Sequence, residues 1–184
     1  MADIGVEGLN QWSGKNRRWD RAVNPLLGLL QRDSFVVEDI AIAAMISLEA
    51  SGQLIGAVEG EDVTYHRGRP ILATQAYRCL SHVELDWEKM PFDQPRLAKA
   101  LAGNYNDVKH FDRGEFPDPA VTYALGSFAL FIARLVALKV ASPEAVDGYL
   151  KPWPQDLHRA IERLKGIEID ERGKATLNDE GVDS

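Results

Sequence analysis

A single cysteine, Cys79, is present in 184 residues. One thiol excludes a disulfide framework and a thiolate metal cluster, and a reducing cytoplasm is the natural compartment for it. The chain also lacks a glycine-rich phosphate loop, a zinc-ligand spacing and a serine elbow, so neither a cofactor nor a metal is expected. The longest apolar run, FALFIARLVALKVA at 128–141, is broken by Arg134 and Lys139. No segment therefore reads as a membrane span. The opening MADIGVEGLNQW has no basic start followed by an apolar core, so no secretory signal is expected. An excess of positive charge is missing too: 28 acidic residues outweigh 21 basic ones, for a net charge of −7. Residues 166–184 hold six acids and two bases, a net of −4, which leaves −3 for residues 1–165. This balance argues against bulk, charge-driven nucleic-acid binding, and no DNA partner is expected, although a small basic cleft is not excluded.

What is present is helical patterning. The apolar fraction of 45% suits one globular domain with a real core. Residues 1–33 read as an N-terminal arm carrying a basic knot, KNRRWDR, with Trp12 and Trp19 as anchors that dock it on the body. Ser34 opens a helix expected to run to Gly60, with Glu38 and Asp39 in its first turns and Ile42, Met45, Ile46 and Leu48 at helical spacing. A charged loop, GEDVTYHRGRP, leads to a second helix from Pro70 to Met90, and PFDQP ends it. A third helix is expected over 95–110. Asp118 and Pro119 cap a fourth, apolar nearly all round and therefore central. Two short helices follow, SPEAVDGYL and PQDLHRAIERLK. Helix after helix with short connections predicts an all-α bundle of about four to six helices over 34–165, followed by an acidic flexible tail at 166–184.

The chemistry concentrates in GNYNDVKHFDRG, residues 103–114. Asn106 and His110 are four apart and share a helix face, with Asp107 and Lys109 turned to either side. Histidine titrates near neutral pH and can move a proton, while an amide and a cation suit a phosphate. A capped helix end with a locally bonded His110 would use the same residues.

The stretch YNDVKH resembles the signature of HEPN domains: an arginine, a polar residue (often asparagine), three variable residues and a histidine. Together with NDVKHFDRG, the earlier helix containing SLEASG and the apolar helix that follows, it is most similar to the HEPN domains of ApeA-type antiphage proteins, over about residues 34–150. The resemblance implies a homodimer whose two motifs face each other in one composite, metal-independent RNase site. It implies RNA as substrate, a role in antiphage defence or toxin-type growth arrest, and a possible antitoxin or other protein partner. By position, Asn106 and His110 are the catalytic candidates. The motif's arginine falls on Tyr105, which can hydrogen-bond a phosphate but carries no fixed positive charge. Lys109 and Arg113 are the nearest replacements. Asp112 stands where some HEPN toxins carry a tyrosine that a nucleotidyltransferase modifies. The alternative reading is a catalytically inactive HEPN-like module for dimerisation or partner binding.

Outside the motif, Arg78 and His82 lie four apart on the second helix and could add positive charge to an RNA cleft. Glu49 could orient a catalytic group from the first long helix. His66, in a loop, and His158, on the last helix, have no metal-like neighbours and read as surface residues. Cys79 reads as a small buried hydrophobe.

Overall fold

The computed structural model describes residues 5–34, 36–110, 116–151 and 153–178. It is an all-α bundle with one small β-hairpin. The helices are α1 (Gly5–Leu30), α2 (Val37–Ile55), α3 (Leu72–His82), α4 (Gln94–Lys109), α5 (Pro119–Ala141), α6 (Pro143–Leu150) and α7 (Gln155–Lys165). Strands β1 (Ile167–Ile169) and β2 (Ala175–Leu177) pair antiparallel after α7.

Local chemistry starts the helices. Asp118 accepts hydrogen bonds from the N–H groups of Ala120 (2.7 Å) and Val121 (3.3 Å), and Pro119 occupies the first turn of α5. Asp93 caps α4 through the Arg96 N–H at 2.8 Å, and Ser142 caps α6 through the Ala145 N–H at 3.3 Å. The start of α2 moves two residues beyond the expected cap. Its N-cap is Val36, whose N–H is met by Asp39 at 3.4 Å. It ends at Ile55 rather than Gly60, because Gly56 adopts φ +84 and leaves the helix. The second expected helix is also shortened. After His82 the chain passes through Glu84 at φ +53, and Val83 and Leu85 turn into the core.

The centre is α5. It is the one helix among the described residues long and apolar enough to cross a bilayer, but most of its surface is buried inside the bundle. Phe128, Ile132 and Val136 are wholly buried and form a core with Met45 and Leu48 of α2 and Leu80 of α3. Two glycines permit close helix contact. A Cβ at Gly52 would lie 2.3 Å from the Gln75 carbonyl oxygen on α3, and one at Gly126 would lie 3.3 Å from Ala41 on α2.

Two segments differ from expectation. The N-terminal arm is a 26-residue helix that contains Pro25 and buries Ala22, Leu26 and Leu29. The Ser47 hydroxyl donates to the Ala22 carbonyl and ties α1 to α2. Trp19 packs against the core, as an anchor should. Within the expected flexible tail, residues 167–177 form the hairpin. Ile167 and Ile169 are buried while Glu168 between them faces solvent. Its turn, with Gly173 at φ +86, lies against α4 so closely that a Cβ there would fall 2.7 Å from the Lys99 carbonyl carbon. An alternation only three residues long is hard to see inside an acidic sequence.

Candidate functional site

Helix α4 sets the position of the motif. Leu97, Ala98, Leu101, Ala102, Tyr105 and Val108 are buried, and this apolar stripe fixes the rotation of the helix. Asn106 and His110 are consequently half-buried at the rim, and Asp107 and Lys109 are exposed. His110 is the C-cap residue: its N–H donates to the Asn106 carbonyl at 2.9 Å, and its extended backbone leads the chain away. Asn106, Lys109 and His110 therefore remain together at one end of α4. Arg113 and Asp112 lie outside the described residues.

Tyr105 does not project into that group as an RNA contact. It is 6% exposed and belongs to the hydrophobic core, because its place on the helix coincides with the apolar stripe. The Lys109 ammonium lies 5.4 Å from the centre of its ring. This distance suits a cation–π contact and leaves Lys109 as the one described cation on the last turn of α4.

Arg78 is likewise unavailable to a ligand. Its side chain is 10% exposed, and the guanidinium forms a two-pronged ion pair with Glu61, Nε to Oε2 at 2.6 Å and Nη2 to Oε1 at 2.7 Å. Glu61 also accepts from the Tyr65 hydroxyl at 2.7 Å and the Val58 N–H at 2.9 Å, while Arg78 donates to Gln75 at 3.1 Å. With Arg78 as the largest cause, the Glu61 carboxyl is held down at about 2, and Arg78 is raised in turn by Glu61. The Glu61 carboxylate raises the Tyr65 phenol as well. This network pins the loop before α3 to the bundle. Its two ends are 17 residues apart in sequence, and no local spacing announces it.

His82 lies at the end of α3 in a separate cavity with Arg18 and Lys139, which shares no residue with the α4 terminus. Burial first, and the nearby Lys139 ammonium second, hold its imidazole below the ordinary value. Glu49 is half-buried on α2, and Glu61, read from sequence as part of a charged loop, is the buried carboxylate instead. His66 and His158 are exposed. Cys79 is fully buried, donates to the Leu48 carbonyl at 3.3 Å, and has its thiol pushed well up by desolvation.

Beside the motif runs a groove of about 850 Å³ between α4, the start of α5 and the hairpin. Its rim combines Asp107, Asp118 and Glu168 with Arg172 and Lys174. Asn104, overlooked in the sequence beside Asn106, is 8% exposed at its floor and donates to the Thr122 hydroxyl at 3.0 Å. Helical pitch alone separates the two asparagines, one facing inward and one outward. Among the described residues no group of three or more His, Cys, Asp or Glu side chains is placed to hold a metal ion. No family model matches the chain, and neither curated proteins nor solved structures provide a significant match.

Proposed function

We infer that the chain is a catalytically inactive HEPN-like helical module that binds a protein partner or a second copy of itself. The observation that carries this reading is the fate of the cationic position. Tyr105 stands where the motif has arginine and is packed into the core, while Arg78 is consumed by Glu61. A nuclease must neutralise a phosphate at its site, and Lys109 is the one described cation on the last turn of α4. The neighbouring groove, which Asn106 and His110 do not line, carries three carboxylates against two bases. Incubating the purified protein with RNA in EDTA, alongside His110→Ala, is the test. Intact RNA with both proteins is expected. Cutting by the parent that His110→Ala abolishes would overturn the reading.

That outcome would instead favour a metal-independent endoribonuclease in antiphage defence or growth arrest, built from two facing copies. The specific support for this second reading is the retention of Asn106, Lys109 and His110 at one end of α4. In such a site His110 takes the proton from the ribose 2′-OH as its oxygen attacks the adjacent phosphorus. The P–O5′ bond breaks, the leaving oxygen takes a proton from the imidazolium of the second copy's His110, and a cyclic phosphate and a free 5′-OH result. Asn106 would orient the phosphate, and the Lys109 ammonium would stabilise the developing charge.

A further inference from the structure

One cavity stands apart from the acidic character of the chain. Four surface cavities among the described residues include at least one carboxylate in their walls. Another, of about 420 Å³, includes none. It takes Arg18 and Trp19 from α1, Leu54 and Ile55 from the end of α2, His82 from the end of α3 and Lys139 from the last turn of α5. Three bases thus meet an apolar wall in a protein of net charge −7.

Part of this charge has a local explanation. Three helices end around the cavity, and helix C-termini attract cations. Lys139 answers that demand: its ammonium donates to the His82 carbonyl at 2.7 Å and to the exposed Glu84 at 2.7 Å. Arg18 and the imidazole of His82 have no such employment. Neither side chain forms an ion pair or hydrogen bond with the described residues, and His82 is only half-exposed. Arg18 also belongs to the basic knot of α1, where Arg17, Arg18 and Arg21 all face solvent without an ion pair among the described residues. The knot adds positive potential at the mouth of the cavity.

The volume lies within the range of small-ligand sites, which are largely apolar with a few converging polar groups. We propose that this cavity binds a small organic anion, its acidic head group held between Arg18 and His82 and its apolar body laid against Trp19, Leu54 and Ile55. Lys139 lines the same cavity with its ammonium already paired to Glu84, so the ligand's charge is met by Arg18 and His82. The site is independent of the α4 terminus, so it stands or falls separately from the reading above.

The test follows the His82 ring by NMR, with the resonance assigned from its loss in His82→Gln. The full chain is titrated with phenyl phosphate, phenylacetate and inorganic phosphate. Saturable shifts are expected with at least one organic probe, and the tighter one identifies the head group. The bound anion favours the protonated imidazole, so the His82 titration midpoint moves up. Arg18→Ala, a change at an exposed position, is expected to weaken binding at least fivefold, while Arg96→Ala on α4 leaves it unchanged. No saturable shift with either organic probe, or parent-like binding by Arg18→Ala, overturns the proposal. Inorganic phosphate binding as tightly as phenyl phosphate would overturn the role of the apolar wall.

Discussion

Replacing Arg78 with methionine isolates the buried two-pronged ion pair with Glu61. Methionine keeps most of the aliphatic volume and removes the guanidinium. Glu61, 4% exposed, would then retain only the Tyr65 hydroxyl and the Val58 N–H as partners. Stranding one member of a buried ion pair costs about 3–5 kcal/mol. The pair lies beneath a thin surface layer where water screens part of the charge, so about 3 kcal/mol is expected. For a chain of this length that lowers Tm by roughly 6–12 °C. The pH dependence follows from the Glu61 carboxyl, held at about 2 against an ordinary 4.5. A depressed folded-state value contributes stability above the unfolded value and loses it as pH falls through the folded one. The deficit of Arg78→Met should therefore be full at about pH 7 and shrink on acidification from about pH 4.5 toward 2. Adding Glu61→Gln removes the stranded charge and should recover about 1 kcal/mol or more. Urea unfolding followed by circular dichroism measures all three. A deficit under about 1 kcal/mol, or one independent of pH, would refute the reasoning.

Other substitutions examine the packing. Gly52→Ala drives a methyl group into the Gln75 backbone and should cost about 2 kcal/mol or more in urea unfolding. Gly148→Ala, in an exposed and open position on α6, should stabilise by about 0.5–1 kcal/mol. Ile169→Asp should release the hairpin from the core, seen as loss of amide exchange protection at Ile167 and Ile169 together with a lower Tm. Cys79 should resist a thiol reagent in the native protein and react fully in denaturant, since burial disfavours its thiolate; rapid native labelling would show that the α2–α3 interface opens.

The helices were legible where a short-range rule governs them. Asp118–Pro119 and Ser142–Pro143 are caps and first turns that work through hydrogen bonds two or three residues long, whereas PFDQP read only as a break and Asp93 within it proves to be the cap of α4. The apolar circumference of α5 announced its central position, because a helix without a polar face can only be covered by others. The four-residue spacing of Asn106 and His110 likewise places both at one end of α4 in the structure.

The sequence by itself determined the all-α class and the starts of most helices, since caps and periodicity act between near neighbours in the chain. Only tertiary structure decided which charged side chains are free. Arg78 read as a cleft cation until Glu61, on the preceding loop, took both prongs of its guanidinium. Tyr105 read as a phosphate contact until the stripe on α4 turned it inward, and Arg18 and His82 line one cavity only because α1 folds back over the bundle. Charge pairing and burial are set by distances in space, and residues far apart along a chain carry no local record of them.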